Sequence, residues 1–94
     1  MSLDAVRNDI REIDEKLISL IAERQKLAAK VARLKLEKNL PIHDPPQQKA
    51  VLDRAFACAV KNRIDPIAVR SIFEILIDMN EERQRECSRD CNLP

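Results

Sequence analysis

The sequence predicts an all-α protein of three helices, the first of them very long, assembled as an intertwined homodimeric helical bundle. Three observations lead there. The 94-residue chain contains no Gly, Trp or Tyr, and its aromatic content is 2%. That composition argues against tight hairpins, Gly-rich phosphate loops and dinucleotide-binding turns. Next, nothing between Leu3 and Leu40 breaks a helix, and Leu3, Val6, Ile10, Ile13, Leu17, Leu20, Arg24, Leu27, Val31 and Leu34 alternate in steps of three and four. This is the seam of a helix with one apolar face. Finally, Asp-Pro occurs twice, at Asp44-Pro45 and Asp65-Pro66, and each pair reads as an N-cap followed by proline in the first helical turn.

The first helix is expected to run from Leu3 almost to Leu40, about 50 Å at 1.5 Å per residue. A compact globule of this size has a radius of gyration of about 12–13 Å. The rest of the chain is too short to cover such a helix, so its seam calls for a second copy. Pro41 is expected to end this helix, with Asn39 to His43 as the connection. The second helix then runs from Pro45 to about Lys61 and buries Val51, Leu52, Ala55, Phe56 and Ala59. Gln47, three residues after Asp44, is placed to complete a capping-box-like arrangement. The third helix carries Val69, Ile72, Phe73, Leu76 and Ile77 inward and frays after Cys87. Residues 1–94 form a single domain, with loose ends at about 1–2 and 88–94.

Composition also bounds function. Charged residues make up 35% of the chain, yet the net charge is only +1. No global field attracts nucleic acid, and almost no aromatic residue is available to stack bases. No apolar run has membrane-spanning length and no secretory signal opens the chain, so a cytoplasmic location is expected. Cys58, Cys87 and Cys91 lack a disulfide-framework spacing and read as reduced thiols. With one His in the chain, a zinc site is not expected.

Arg24 is the exception in the seam: nine of its ten positions are aliphatic. A guanidinium does not shed its charge on burial, so it needs an anion supplied either by the fold or by a ligand. Lys35 follows eleven residues later, which returns to within about 20° of the same helix face, roughly 16 Å along the axis. Ala28 and Val31 lie between them. The result is a strip with a cation at each end and a smooth floor, suited to a small dianion. The competing reading of Lys35 is a solvated i,i+4 network with its charged neighbours. On the third helix the apolar stripe continues into Asn80 and Gln84, four apart, whose amides offer directed hydrogen bonds at a stripe's end. Arg7 lies about 25 Å along the first helix from Arg24, too far to join it within one chain. In an antiparallel helix pair the partner's Arg7 can approach instead. His43 reads as a loop residue.

Taken together, Arg7, the run from Asp14-Glu15-Lys16-Leu17 to Ala22-Glu23-Arg24, Lys35, Pro41-Ile42-His43-Asp44 and Gln84 resemble the all-helical chorismate mutase family, over about Leu3 to Glu86. The resemblance implies an intertwined dimer that converts chorismate to prephenate by a Claisen rearrangement, with no metal, cofactor or covalent intermediate. Carried over by position, it implies that Arg24 and the partner's Arg7 hold the substrate carboxylates. Lys35 and Gln84 donate to the ether oxygen, Asp44 approaches the substrate hydroxyl, Asn80 lies near a carboxylate, and Val31 and Ile77 form apolar walls. One departure stands out. The family commonly carries arginine and then glutamate at positions 47 and 48, where the arginine helps bind a carboxylate and the glutamate contacts the hydroxyl. This chain has Gln47 and Gln48, which implies weaker binding with the chemistry retained. The same strip also resembles that of isochorismate pyruvate lyases. A third reading is a non-catalytic helical dimer that binds a metabolite or a partner enzyme.

Overall fold

The computed structural model describes residues 1–91, with side chains to Ser88. Three helices make up the fold: α1 (Leu3–Glu37), α2 (Pro45–Lys61) and α3 (Pro66–Cys91). Their starts follow from side-chain caps. The Ser2 hydroxyl accepts from the Ala5 amide at 3.1 Å, so Ser2 is the cap of α1 and not a loose end. Asp44 Oδ1 accepts from the Gln47 amide at 3.3 Å, and Asp65 Oδ1 accepts from the amides of Ile67 and Ala68 at 3.0 and 3.4 Å. Each bond satisfies an amide that the first helical turn leaves unpaired. The Gln47 side chain makes no return bond to Asp44, so the capping box is only half formed.

The helix ends differ from expectation. Helix α1 stops at Glu37, before Pro41, because Asn39 turns into the left-handed region with φ 54°. The Leu40 amide then reaches back to the Lys35 carbonyl at 2.8 Å and the Asn39 amide to the Leu36 carbonyl at 3.3 Å. This is a Schellman closure made without glycine. Helix α2 ends the same way. Arg63 takes φ 60°, the Ile64 amide bonds the Ala59 carbonyl at 3.1 Å, and the Arg63 amide bonds the Val60 carbonyl at 3.1 Å. Helix α3 continues past Cys87 to Cys91, and Asn92-Leu93-Pro94, expected as a loose end, lie outside the described residues. Cys58 and Cys87 are free thiols, while the Cys91 side chain also lies outside the described residues.

Helix α3 packs against both α1 and α2, which do not pack on each other. The molecule is correspondingly open, 57 × 28 × 14 Å with a radius of gyration of 16.7 Å, well above the roughly 12–13 Å of a compact domain this long. Among the described residues the buried apolar ones are Ala28, Ala32, Ala55, Ala59 and Leu76. The buried residues of α1 and of α2 are thus all alanines, and α3 adds Leu76. Leu3, Val6, Ile10, Ile13, Leu17, Leu20, Leu27, Val31 and Leu34 are all exposed in the single chain. Two residues expected to point inward do not. Ile72 is exposed, and so is Phe56, whose ring instead faces the Arg70 guanidinium at 6.0 Å. Helical period alone does not tell a face that meets its own chain from one that does not.

Candidate active-site cleft

The two outer helices leave a space between them, floored by α3, and it is a cleft of about 460 Å³. Helix α1 contributes Arg24, Ala28, Val31 and Lys35, the strip read from the sequence. The start of α2 contributes Asp44, Gln47 and Gln48, and α3 contributes Ile77, Asn80 and Gln84. Every expected site residue is thus brought together except Arg7. Arg7 is exposed on the first turns of α1 and is not part of the cleft wall.

The polar groups in this cleft are poised rather than satisfied. Arg24 Nη1 and Gln84 Oε1 are both buried, and neither has a hydrogen-bond partner. Among the described residues no carboxylate pairs with Arg24. Its guanidinium instead lies over Phe73, 5.7 Å from the ring centroid. Of the two possible sources of an anion, the fold is therefore not the one. Lys35 is not part of a surface charge network either. Its ammonium donates to the Ile42 carbonyl at 2.7 Å, which uses one of three protons.

Five further residues line the cleft to which the sequence reading gives no role in a site: Leu27, Ile42, Val51, Arg54 and Glu81. Signals for two of them are present in the chain. Arg54 lies seven residues after Gln47 and three after Val51, so it continues their face of α2, and Glu81 follows Ile77 by four on α3. Glu81 is the more informative. Its side chain is only 12% exposed, and Oε1 meets His43 Nδ1 at 2.8 Å and Arg85 Nη2 at 3.3 Å. Gln48 Nε2 lies 3.4 Å from the same Nδ1. His43 is a loop residue as expected, but one tied to α3. The cleft wall thus combines the cations Arg24, Lys35 and Arg54 with the carboxylates Asp44 and Glu81, the latter already engaged by two basic groups. The balance favours a small anion with apolar surface.

A family described as chorismate mutase type II matches residues 6–85 of this sequence. The chain belongs to that family. A chorismate mutase of Methanocaldococcus jannaschii is 38% identical over 84 residues, covering 89% of this chain and 85% of that protein. The bifunctional chorismate mutase/prephenate dehydratases of Enterobacter agglomerans and Escherichia coli K12 are 32% and 31% identical over 74 residues. In both cases the match covers 79% of this chain and only 19% of the longer protein. This type II chorismate mutase family member carries Arg24, Lys35 and Gln84 in its cleft, with Gln47 and Gln48 at the start of α2. No helix among the described residues is long and apolar enough to cross a membrane.

Proposed function

We propose that this type II family member is a chorismate mutase that works as a cytoplasmic homodimer. The observation that carries the reading is the pair of unpartnered buried polar atoms, Arg24 Nη1 and Gln84 Oε1, in one cleft whose other polar end is Lys35. A buried donor left unpaired costs about 1–3 kcal/mol. A cleft that carries this cost is organised for something that arrives. Chorismate fits the demand: two carboxylates, an ether oxygen, a hydroxyl and an apolar ring face.

The reaction is a concerted rearrangement in which the ether C–O bond breaks as a new C–C bond forms. It needs no nucleophile and no proton shuttle. Rate comes from holding the reactive conformer and from donors aimed at the oxygen where negative charge grows. Arg24 binds a carboxylate and gains the partner it lacks in the free chain. Lys35 has two protons beyond the one given to Ile42 and directs one to the ether oxygen. An ether oxygen only accepts, so Gln84 presents Nε2 to it after a half-turn of the amide, which breaks no hydrogen bond of Oε1. Asp44, already half engaged as a cap, accepts from the hydroxyl, and Asn80 assists a carboxylate. Gln47 and Gln48 add neutral hydrogen bonds. Val31 and Ile77 confine the ring.

The open shape and the exposed seam of α1 support the dimer. Leu3, Val6, Ile10, Ile13, Leu17, Leu20 and Leu34 lie outside the cleft wall and are exposed in the single chain, and a second α1 laid antiparallel supplies cover. That arrangement also carries the partner's Arg7 to the Arg24 end of the cleft. The test is loss of chorismate absorbance with purified protein, with product identification and a Lys35→Ala control. Prephenate formation that the substitution abolishes supports the reading. Turnover of isochorismate to pyruvate with none of chorismate overturns it.

A further inference from the structure

The connection between α1 and α2 has no regular structure between Leu40 and Asp44, yet among the described residues it supplies the acceptor bonded to Lys35, the Ile42 carbonyl at 2.7 Å. The direction of the ammonium is only as fixed as that carbonyl. Lys35 has a four-carbon stem with freely turning bonds, so an unanchored Nζ samples many positions. The next residue along is His43, and its ring reaches across to α3, where Nδ1 lies 2.8 Å from Glu81 Oε1. An ionised carboxylate only accepts, so Nδ1 carries the proton and donates. That leaves Nδ1 no lone pair for the Gln48 amide, and the 3.4 Å separation there is a contact and not a second bond. The same Glu81 oxygen also lies 3.3 Å from Nη2 of Arg85, one turn along its own helix.

We propose that His43 and Glu81 form a clasp that positions Lys35 for the reaction, with neither of them acting on the substrate. The path is continuous: Arg85 orients Glu81, Glu81 holds His43, His43 fixes the adjacent Ile42 carbonyl, and that carbonyl aims Nζ into the cleft. The clasp joins the connection to the rigid helix that carries Asn80 and Gln84. The two donors assigned to the ether oxygen, one on α1 and one on α3, are thereby held in register through the connection. This rests on the mutase reading of the cleft and on Lys35 as its donor.

Burial supports a directing role. Glu81 is 12% exposed and His43 is 60% exposed, so the acceptor is held in the protein while the donor sits at the rim. Removing the imidazole leaves no cavity and no buried charge without a partner, because Arg85 remains on Glu81. The chain should fold without it.

Wild-type turnover is measured first, and its absence overturns the mutase reading before the clasp is in question. Given turnover, His43→Ala should lower kcat about tenfold, as expected for a donor misplaced by a fraction of an ångström. KM should stay within about twofold and Tm should be unchanged, since no binding group and no core residue is lost. His43→Gln retains an N–H donor toward Glu81 and should recover most of the loss. Glu81→Ala should produce a similar fall, and combining it with His43→Ala should add little, the signature of two residues acting as one unit. Two results overturn the clasp: kcat unchanged in His43→Ala, or losses in the two single variants that multiply in the double.

Discussion

Arg24 and Phe73 meet as cation and ring, with the guanidinium carbon 5.7 Å from the ring centroid, while Nη1 of the same group is buried with no acceptor. The two halves of this arrangement do not cancel. A cation over a ring contributes about 0.5–2 kcal/mol, and an unsatisfied buried donor costs about 1–3 kcal/mol.

Arg24→Leu should therefore stabilise the protein while destroying its activity. A leucine packs on Phe73 without an orphaned donor, and exchanging a poorly paired, partly buried charge for an apolar side chain of similar reach gains about 1 kcal/mol. Denaturant titration should show a higher midpoint at unchanged slope, and chorismate turnover should fall at least about 100-fold. A variant less stable than the parent would show that Arg24 is held for folding.

Gln47→Arg restores a cation to the first turn of α2. The bond from the Gln47 amide to Asp44 is a backbone bond, so the cap survives the change. One charge-assisted hydrogen bond to a carboxylate in place of a neutral one adds about 1 kcal/mol, a fall in KM of about fivefold at similar kcat. Steady-state kinetics on chorismate decide it, and an unchanged KM means that this position does not face the carboxylate.

Chain mixing tests the dimer and the partner's Arg7 together. Arg7→Ala and Lys35→Ala chains should each be nearly inactive alone. After unfolding and refolding together in equal amounts, half the dimers are mixed, and each has one site with both residues intact. About a quarter of wild-type activity should return. No recovery would place Arg7 outside the site.

Arg63 occupies the left-handed region with φ 60° at the end of α2, where a Cβ is unfavourable and glycine is not. Arg63→Gly should raise stability by about 0.5–1 kcal/mol net of the added freedom of the unfolded chain. Thermal unfolding at fixed protein concentration measures it, and turnover should be unaffected, since Arg63 lies at the far end of α2 from the connection.

Much of the fold and of the cleft is legible in the sequence. Asp44-Pro45 and Asp65-Pro66 mark two helix starts because capping is local chemistry, decided by residues within one turn. The strip from Arg24 to Lys35 is legible because helical period fixes which side chains share a face. The α1 stop is not, since Asn39 closes the helix by adopting a backbone region usually left to glycine, and Pro41 draws attention past it. Phe56 and Ile72 mislead because period gives a face and not its neighbour. Glu81 and Arg54 stay hidden for a related reason. A charged residue on a stripe reads as solvated until another helix is seen across from it, and the tie from His43 to Glu81 spans 38 positions of chain.

Helix α1 buries Ala28 and Ala32 and helix α2 buries Ala55 and Ala59, each 6% exposed or less, where α3 packs on both helices. Three of these four lie outside the cleft wall. The aperture is thus gauged by methyl groups, the smallest side-chain unit available, with no slack to absorb a larger one. A single added methylene at Ala32, Ala55 or Ala59 should press two helices apart and change the thickness of what fits between them. Selectivity for ligand thickness can therefore shift by substitutions that no ligand ever touches.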